Sequence, residues 1–241
     1  ELPPSKRVSY VTHVVKRVTE TAGLANAPPV VTESAYRDPV YEGRQREFRG
    51  FARAKATRLG DQNSPADVTE TTFLLGECQD LLPDDGVDSC GPAHRALDNP
   101  YEALKGLPVL TEKRDLAGVT LSTSHTGYEL RELYLGLDGR RVMHAVQTTT
   151  DGFAYDTGPF KPGSASVTIP DATFVRLSTA EGSDDNPLVP PPATVLRSSA
   201  VPVRSAAHAH TRSSATVDKW GNQTQSVAEG CVGGPECLRG D

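Results

Sequence analysis

The sequence predicts an all-β fold of antiparallel hairpins and meanders, and three observations carry that prediction. Gly and Pro are abundant, 21 and 19 of 241 residues, and both cost helix stability while favouring turns. Short runs rich in β-branched residues alternate along much of the chain. Between several of them stand AG, LDGR, TDG and KPG, turn signals at hairpin spacing.

The length allows one or two domains and a real core, although 37% hydrophobic and 6% aromatic residues make that core lean. The net charge of -6 comes from 31 acidic residues interspersed with 25 basic ones. No basic patch gathers, so a nucleic-acid partner is not expected. No run nears the roughly 18 apolar residues of a membrane helix, and the N-terminus lacks signal-peptide segments. No membrane contact is expected. Glu1 in place of Met, and Arg239, Gly240 and Asp241 after no terminating element, read as cuts in a longer chain.

Residues 1–75 form a strand-rich segment. VSYVTHVVKRVTE at 8–20 and VVTESAYRD at 30–38 read as two strands of a hairpin around GLANAPPV. In PVYEGRQREFRGFARAKATRL, Gly43 divides two segments. On an extended chain Arg44, Arg46 and Phe48 share one face, and Gln45, Glu47 and Arg49 the other, so charges line both sides and need ion pairs or water. Residues 76–106 read as a polar, cysteine-containing loop or insertion, with NPYEALKG making one or two helical turns ended by Gly106. Over 107–180 the runs LPVLTEKRD, GYELRELYLGL, RVMHAVQTTT and SVTIPDATFVRLS predict an antiparallel meander. Residues 181–194 form a Pro-rich connection. In 195–241, HAHTRSSATVDKWGNQTQSVAEG reads as a hairpin turning at Lys219-Trp220-Gly221-Asn222, followed by a cysteine loop.

The segment YRDPVYEGRQREFRGFARA, with Tyr41 and Gly43 ahead of Arg46-Glu47-Phe48-Arg49-Gly50-Phe51, resembles the middle region of Tc insecticidal toxin B-components. These are relatives of the Salmonella plasmid virulence B protein and of Rhs repeat proteins. THVVKRVTE, KGLPVLTEKRD and VDKWGNQTQSV stand in the family's order. The last resembles a YD/Rhs repeat, with Trp220, Gly221 and Asn222 at its turn. Residues 76–98 and 147–194 match nothing in that pattern. The resemblance implies a segment of a larger Rhs/Tc-type β-shell that encloses and helps deliver a C-terminal effector. Its implied partners are the rest of the same large polypeptide, the toxin C-component and the pore-forming A-component, and its implied setting is a secreted virulence toxin. A secreted β-sandwich that binds carbohydrate or protein is the alternative reading.

The sequence offers few catalytic candidates. Cys78 with Cys90 and Cys231 with Cys237 form two local pairs without CxxC spacing, which favours disulfides over zinc or free thiols. His208 and His210 share a strand face, yet no Cys or carboxylate stands beside them at ligand spacing. Glu47 among arginines reads as an ion-pair member rather than a general acid or base. Asp80, Asp84, Asp85 and Asp88 lack the spacing of a calcium loop. No GxSxG elbow is present. The expectation is therefore a non-catalytic chain with no cofactor and no metal.

Overall fold

The computed structural model describes residues 11–23, 28–42, 46–61, 64–76, 100–138, 141–155, 166–168, 175–178, 200–202, 208–218 and 221–233. They build strands β1 (Arg17–Glu20), β2 (Val30–Glu42), β3 (Glu47–Arg58), β4 (Asp67–Phe73), β5 (Pro108–Asp115), β6 (Thr120–Leu135) and β7 (Arg141–Tyr155). After these come β8 (Ser166–Thr168), β9 (Val175–Ser178), β10 (Ala200–Pro202), β11 (His208–Val217) and β12 (Gln223–Gly233). A 3-10 helix, Pro100–Leu104, is formed by the NPYEALKG stretch.

The fold is all-β, and its main sheet is antiparallel along the order β1-β2-β3-β4-β5-β6-β7-β11-β12. Neighbours in sequence are neighbours in space from β1 to β7, even across the long connection 74–107 between β4 and β5. The expected meander over 107–180 needs two corrections. β9 lies parallel to β6, with Tyr128 opposite Val175 and Arg131 opposite Ser178. It takes up the edge of β6 beyond His125, where pairing with β5 ends. Secondly, TDG is no turn: Asp151 and Gly152 lie inside β7, with His125 and Ser124 opposite them on β6 and Arg212 and Thr211 opposite on β11. A strand paired on both sides leaves a Gly no room to reverse the chain. SVTIPDATFVRLS is likewise two strands, β8 paired with β10 and β9 with β6.

The first strand is shorter than the 8–20 run suggests, since pairing with β2 begins at Arg17. Ahead of it Val11, Val14 and Val15 are exposed. The connection 181–194 and the cysteines Cys78, Cys90 and Cys237 lie outside the described residues.

The core is small and off-centre. Leu74, Tyr101, Leu104, Val109, Tyr128 and Leu130 pack together, with Ala103, Leu107, Met143 and Ala145 against them. The 3-10 helix thus lies over β6 and β7 as a partial second layer. A full two-sheet sandwich core is not found among the described residues, where the 3-10 helix covers part of the main sheet.

Charge in the sheet is handled by cross-strand bridging. Glu70 on β4 stands directly opposite Glu112 on β5, an arrangement that repels unless a cation intervenes. Arg114 supplies it, 2.6 Å from Glu112 and 3.5 Å from Glu70.

Candidate functional site

The sequence signature sits at a bulge in β3. Gly50 faces Val40 and Phe48 faces Tyr41, so Arg49 is the extra residue of the β2–β3 ladder. Gly50 has φ 114°, a value L side chains rarely adopt. The inserted residue shifts the alternation by one. Phe48 and Phe51, which a regular strand would put on opposite faces, meet edge to face at 5.2 Å, and Phe51 also meets Tyr36 at 5.1 Å.

Arg49 is buried, and its guanidinium holds three acceptors. Nη1 donates to the carbonyls of Leu75 and Gly76, both at 3.2 Å, and Nη2 donates to Glu102 Oε2 at 2.9 Å. Two residues earlier Glu47 accepts from Lys105 Nζ at 2.6 Å, and Lys105 also lies 3.7 Å from Glu102. Two cations and two carboxylates therefore join β3 to the 3-10 helix and its flank. The hydrogen bond from Lys105 holds the Glu47 carboxyl below its ordinary range against the smaller opposing effect of burial. A carboxylate so held is a poor proton carrier and a good ion-pair partner. The partners lie on the helix side rather than on a neighbouring strand, where charged sheet positions usually find theirs.

Gly76 completes this junction. Its φ is 72°, and a Cβ there would stand 3.0 Å from Arg49 Nη1 and 3.1 Å from the Tyr101 carbonyl oxygen. Of the other signature positions, Tyr41 is exposed near the end of β2 and Arg46 precedes β3 in a turn with φ 54°. Gly43 lies outside the described residues.

A second cluster spans β6, β7 and β11. Uninterrupted register puts Thr123 and His125, Asp151, Phe153 and Tyr155, and His208, His210 and Arg212 on one face. Phe153 is fully buried at its centre, stacked on His210 at 4.4 Å and meeting His125 edge to face at 5.6 Å. Asp151, 3% exposed, accepts from His210 Nε2 at 2.7 Å and from Arg212 Nε at 2.8 Å. Tyr155 hydroxyl and Thr123 Oγ1 share a hydrogen bond of 2.9 Å. His208 and His210 thus pack around an aromatic ring, and no group of three or more metal-ligating side chains occurs among the described residues.

The β11–β12 hairpin is anchored at its tip as well. Arg131 on β6 donates to the carbonyls of Val217 and Asp218, and Asp218 accepts from the Asn222 amide at 2.9 Å. Gly221 rests on His144, where a Cβ would come within 2.8 Å of Nε2. Lys219 and Trp220 lie outside the described residues, so the turn is framed by Asp218, Gly221 and Asn222. Cys231, on β12, is disulfide-bonded, its partner lying outside the described residues.

Three of these residues carried no sequence signal strong enough to single them out. Glu102 and Lys105 were visible only as an i,i+3 pair in a short helical stretch, and Asp151 was hidden in an apparent turn.

Residues 5–78 match the family model of the insecticide toxin TcdB middle/N-terminal region, the span that holds the bulge and the signature. The chain is similar to the crystal structure of TcdB2-TccC3-TEV, at 12% identity and TM-score 0.50, covering 83% of this chain and 9% of that one. It is also similar to the crystal structure of TcdB2-TccC3, at 13% identity, TM-score 0.49 and the same coverages. The Tc holotoxin pore of Photorhabdus luminescens gives 13% identity and TM-score 0.47, again over 83% and 9%. At such identities the likeness concerns fold, and the chain spans about a tenth of the length of the chains it resembles. No curated protein matches by sequence. The bulge at Arg49 and Gly50 therefore lies inside the span that is similar to the TcdB middle/N-terminal region.

Proposed function

We propose that this chain is a non-catalytic structural segment of the shell of a Tc-type toxin, a wall that encloses a C-terminal effector and helps deliver it. The observation that carries this reading is the pair of open margins of the main sheet. At one end β12 is exposed from Gln223 to Val232, including Val227 and Val232; at the other β1 is exposed throughout, including Val18. Among the described residues no further strand pairs with either margin, and exposed sheet margins carrying apolar side chains are templates for further strands and a liability in an isolated protein. In a shell they are joints.

The partners follow from that reading: the remainder of the same polypeptide along the sheet margins, then the C-component and the pore-forming A-component of the toxin. The β11–β12 hairpin, turning at Gly221 and Asn222, serves as a YD/Rhs-like repeat unit. A disulfide between Cys231 and Cys237 suits a secreted toxin in an oxidising setting. Glu47 and Arg49 hold wall to helix, and no step of catalysis is assigned to them.

Hydrogen exchange tests the proposal, comparing this chain alone with the same residues inside the longer polypeptide. Amides of β1 and β12 should exchange at least about tenfold more slowly in the longer protein, because new strands cover them. Equal rates in both contexts would remove the reading.

A further inference from the structure

Strands β6 and β7 form the longest hairpin among the described residues, and its far end runs past the strands that pair with it. Pairing of β6 with β5 ends at His125, pairing of β6 with β9 at Arg131, and pairing of β7 with β11 at Thr149. Beyond these points the described ladder joins β6 to β7 alone, with Glu132 facing Met143, Tyr134 facing Val142 and Leu135 facing Arg141. Leu133 is the extra residue there, a bulge that bends the strand and breaks its alternation. Burial changes at that residue: Leu130 and Glu132 are buried, whereas Leu133, Tyr134, Leu135 and Leu137 are exposed, Tyr134 by 60% and Leu137 completely. An exposed hairpin end is ordinarily built from polar and turn-forming residues. Here Leu-Tyr-Leu-Gly-Leu puts four large apolar side chains within five positions.

We propose that this end of the hairpin is a knob that seats in a concave apolar socket on another part of the longer polypeptide, outside these residues, with Tyr134 and Leu137 as its anchors. The inference rests on the shell reading and adds to the sheet margins a joint of a different kind, made by side chains rather than by strand pairing. Placement, number and charge select that occupant. Apolar residues scattered singly over a surface need no explanation, but a contiguous group on a projecting element marks a contact surface. Four side chains are far fewer than the roughly 20–30 residues a side that a stable pair of copies buries. A knob in a socket, by contrast, is desolvated on several sides and concentrates binding in a few residues. Lipid fits worse, because Asp138 follows Leu137 into the turn and is exposed; a hairpin entering a bilayer end-on would carry that carboxylate in with it. The charged groups stand at the border, Asp138 after the knob and Arg141 opposite Leu135, as in protein interfaces with an apolar centre and a polar rim. Tyr134 brings a large apolar ring together with a hydroxyl that the edge of a socket can hydrogen-bond.

Thiol labelling tests the proposal. Leu137→Cys is reacted with a maleimide under non-reducing conditions in this chain alone and in the longer polypeptide, and the parent of each is labelled in parallel to subtract its own thiols. A socket that excludes water should slow labelling of Leu137→Cys by at least about tenfold in the longer polypeptide. Tyr134→Cys should be protected likewise, and adding Leu137→Asp should abolish that protection. In this chain alone Leu137→Asp should leave the melting temperature within about 2 °C of the parent, as a solvent-exposed position requires. Equal labelling in both contexts overturns the proposal. If the β1 and β12 amides are protected in the longer polypeptide all the same, the shell reading survives that result; if they are not, both fall. Two further results overturn it by naming another occupant: a concentration-dependent dimer of this chain in sedimentation velocity that Leu137→Asp abolishes, or flotation of this chain with vesicles of phosphatidylcholine and phosphatidylglycerol that Leu137→Asp abolishes.

Discussion

Replacing Asp151 by Asn tests whether the cluster on β6, β7 and β11 is held by charge. The carboxylate is almost wholly buried and accepts from two groups on β11, His210 at 2.7 Å and Arg212 at 2.8 Å. Asn preserves the shape and one acceptor oxygen but removes the charge. Breaking a buried pair by removing one partner costs about 3–5 kcal/mol, because the other is left uncompensated. Here the Arg212 side chain is 22% exposed, so water recovers part of that loss and we expect about 2–3 kcal/mol. For a domain of this size each kcal/mol lowers Tm by about 2–4 °C, which gives a fall of about 4–12 °C in a thermal melt followed by circular dichroism. Adding Arg212→Met to Asp151→Asn should restore about 1 kcal/mol by removing the stranded cation. A single variant that melts within about 1 °C of the parent would show that the carboxylate contributes nothing net and that charge does not hold the cluster.

Gly76→Ala should destabilise by about 2–3 kcal/mol, from about 1–2 kcal/mol for a left-handed alanine and the rest from displacing Arg49 and the Tyr101 carbonyl; denaturant titration reads it, and a change below about 0.5 kcal/mol would contradict the close approach. Tyr128 is pushed up to about 12 by burial, so its contribution is complete below the ordinary tyrosine range and is lost as pH rises through about 12. Burial raises Tyr101 as well, so ultraviolet titration should show a late-ionising component that Tyr128→Phe reduces by one tyrosine. Glu47 is shifted the other way, mainly by Lys105, so its contribution is present above the ordinary carboxylate range and disappears as pH falls through and below it. Because both side chains are partly exposed, the effect should be no more than about 0.5–1 kcal/mol, and Glu47→Gln should flatten the acid limb of the stability curve by that amount.

Much of the fold is written in local pattern. β-Branched runs bounded by Gly and Pro place β2, β3, β5 and the β11–β12 hairpin, because a half-buried strand has a period of two and a reversal needs permissive residues. What escapes that pattern is set by distant partners. β7 passes straight through Asp151-Gly152 because β6 and β11 pair with it on both sides. β9 runs parallel because β5 leaves the second half of β6 open. The REFRGF motif is visible as a string, whereas its mechanics depend on a one-residue bulge and on Glu102 and Lys105 more than fifty residues away. No local rule supplies that separation.

A sheet with few large buried side chains among its described residues faces a problem of register more than of affinity. Sliding one strand past its neighbour by two residues keeps every side chain on its face and loses little apolar burial when few large residues are buried. Among the described residues the largest fully buried side chains are Leu74, Leu104, Leu130 and Phe153, and runs such as Thr148-Thr149-Thr150 offer near-equivalent pairings. Charged contacts are less forgiving, since a slip leaves Arg49, Asp151 or Arg131 without its particular acceptor or donor, and an uncompensated buried charge costs several times what a displaced methyl group does. Two of these contacts also fall where the ladder is irregular or ends, Arg49 at the β3 bulge and Arg131 against the tip of the last hairpin, while Asp151 sits in regular register between β6 and β11. Arg131→Met should therefore alter β11–β12 register more than overall stability. Cross-strand nuclear Overhauser contacts between Thr216 and Gln225, opposite each other in the intact hairpin, would report the slip, and their full retention would argue that the strands need no such pin.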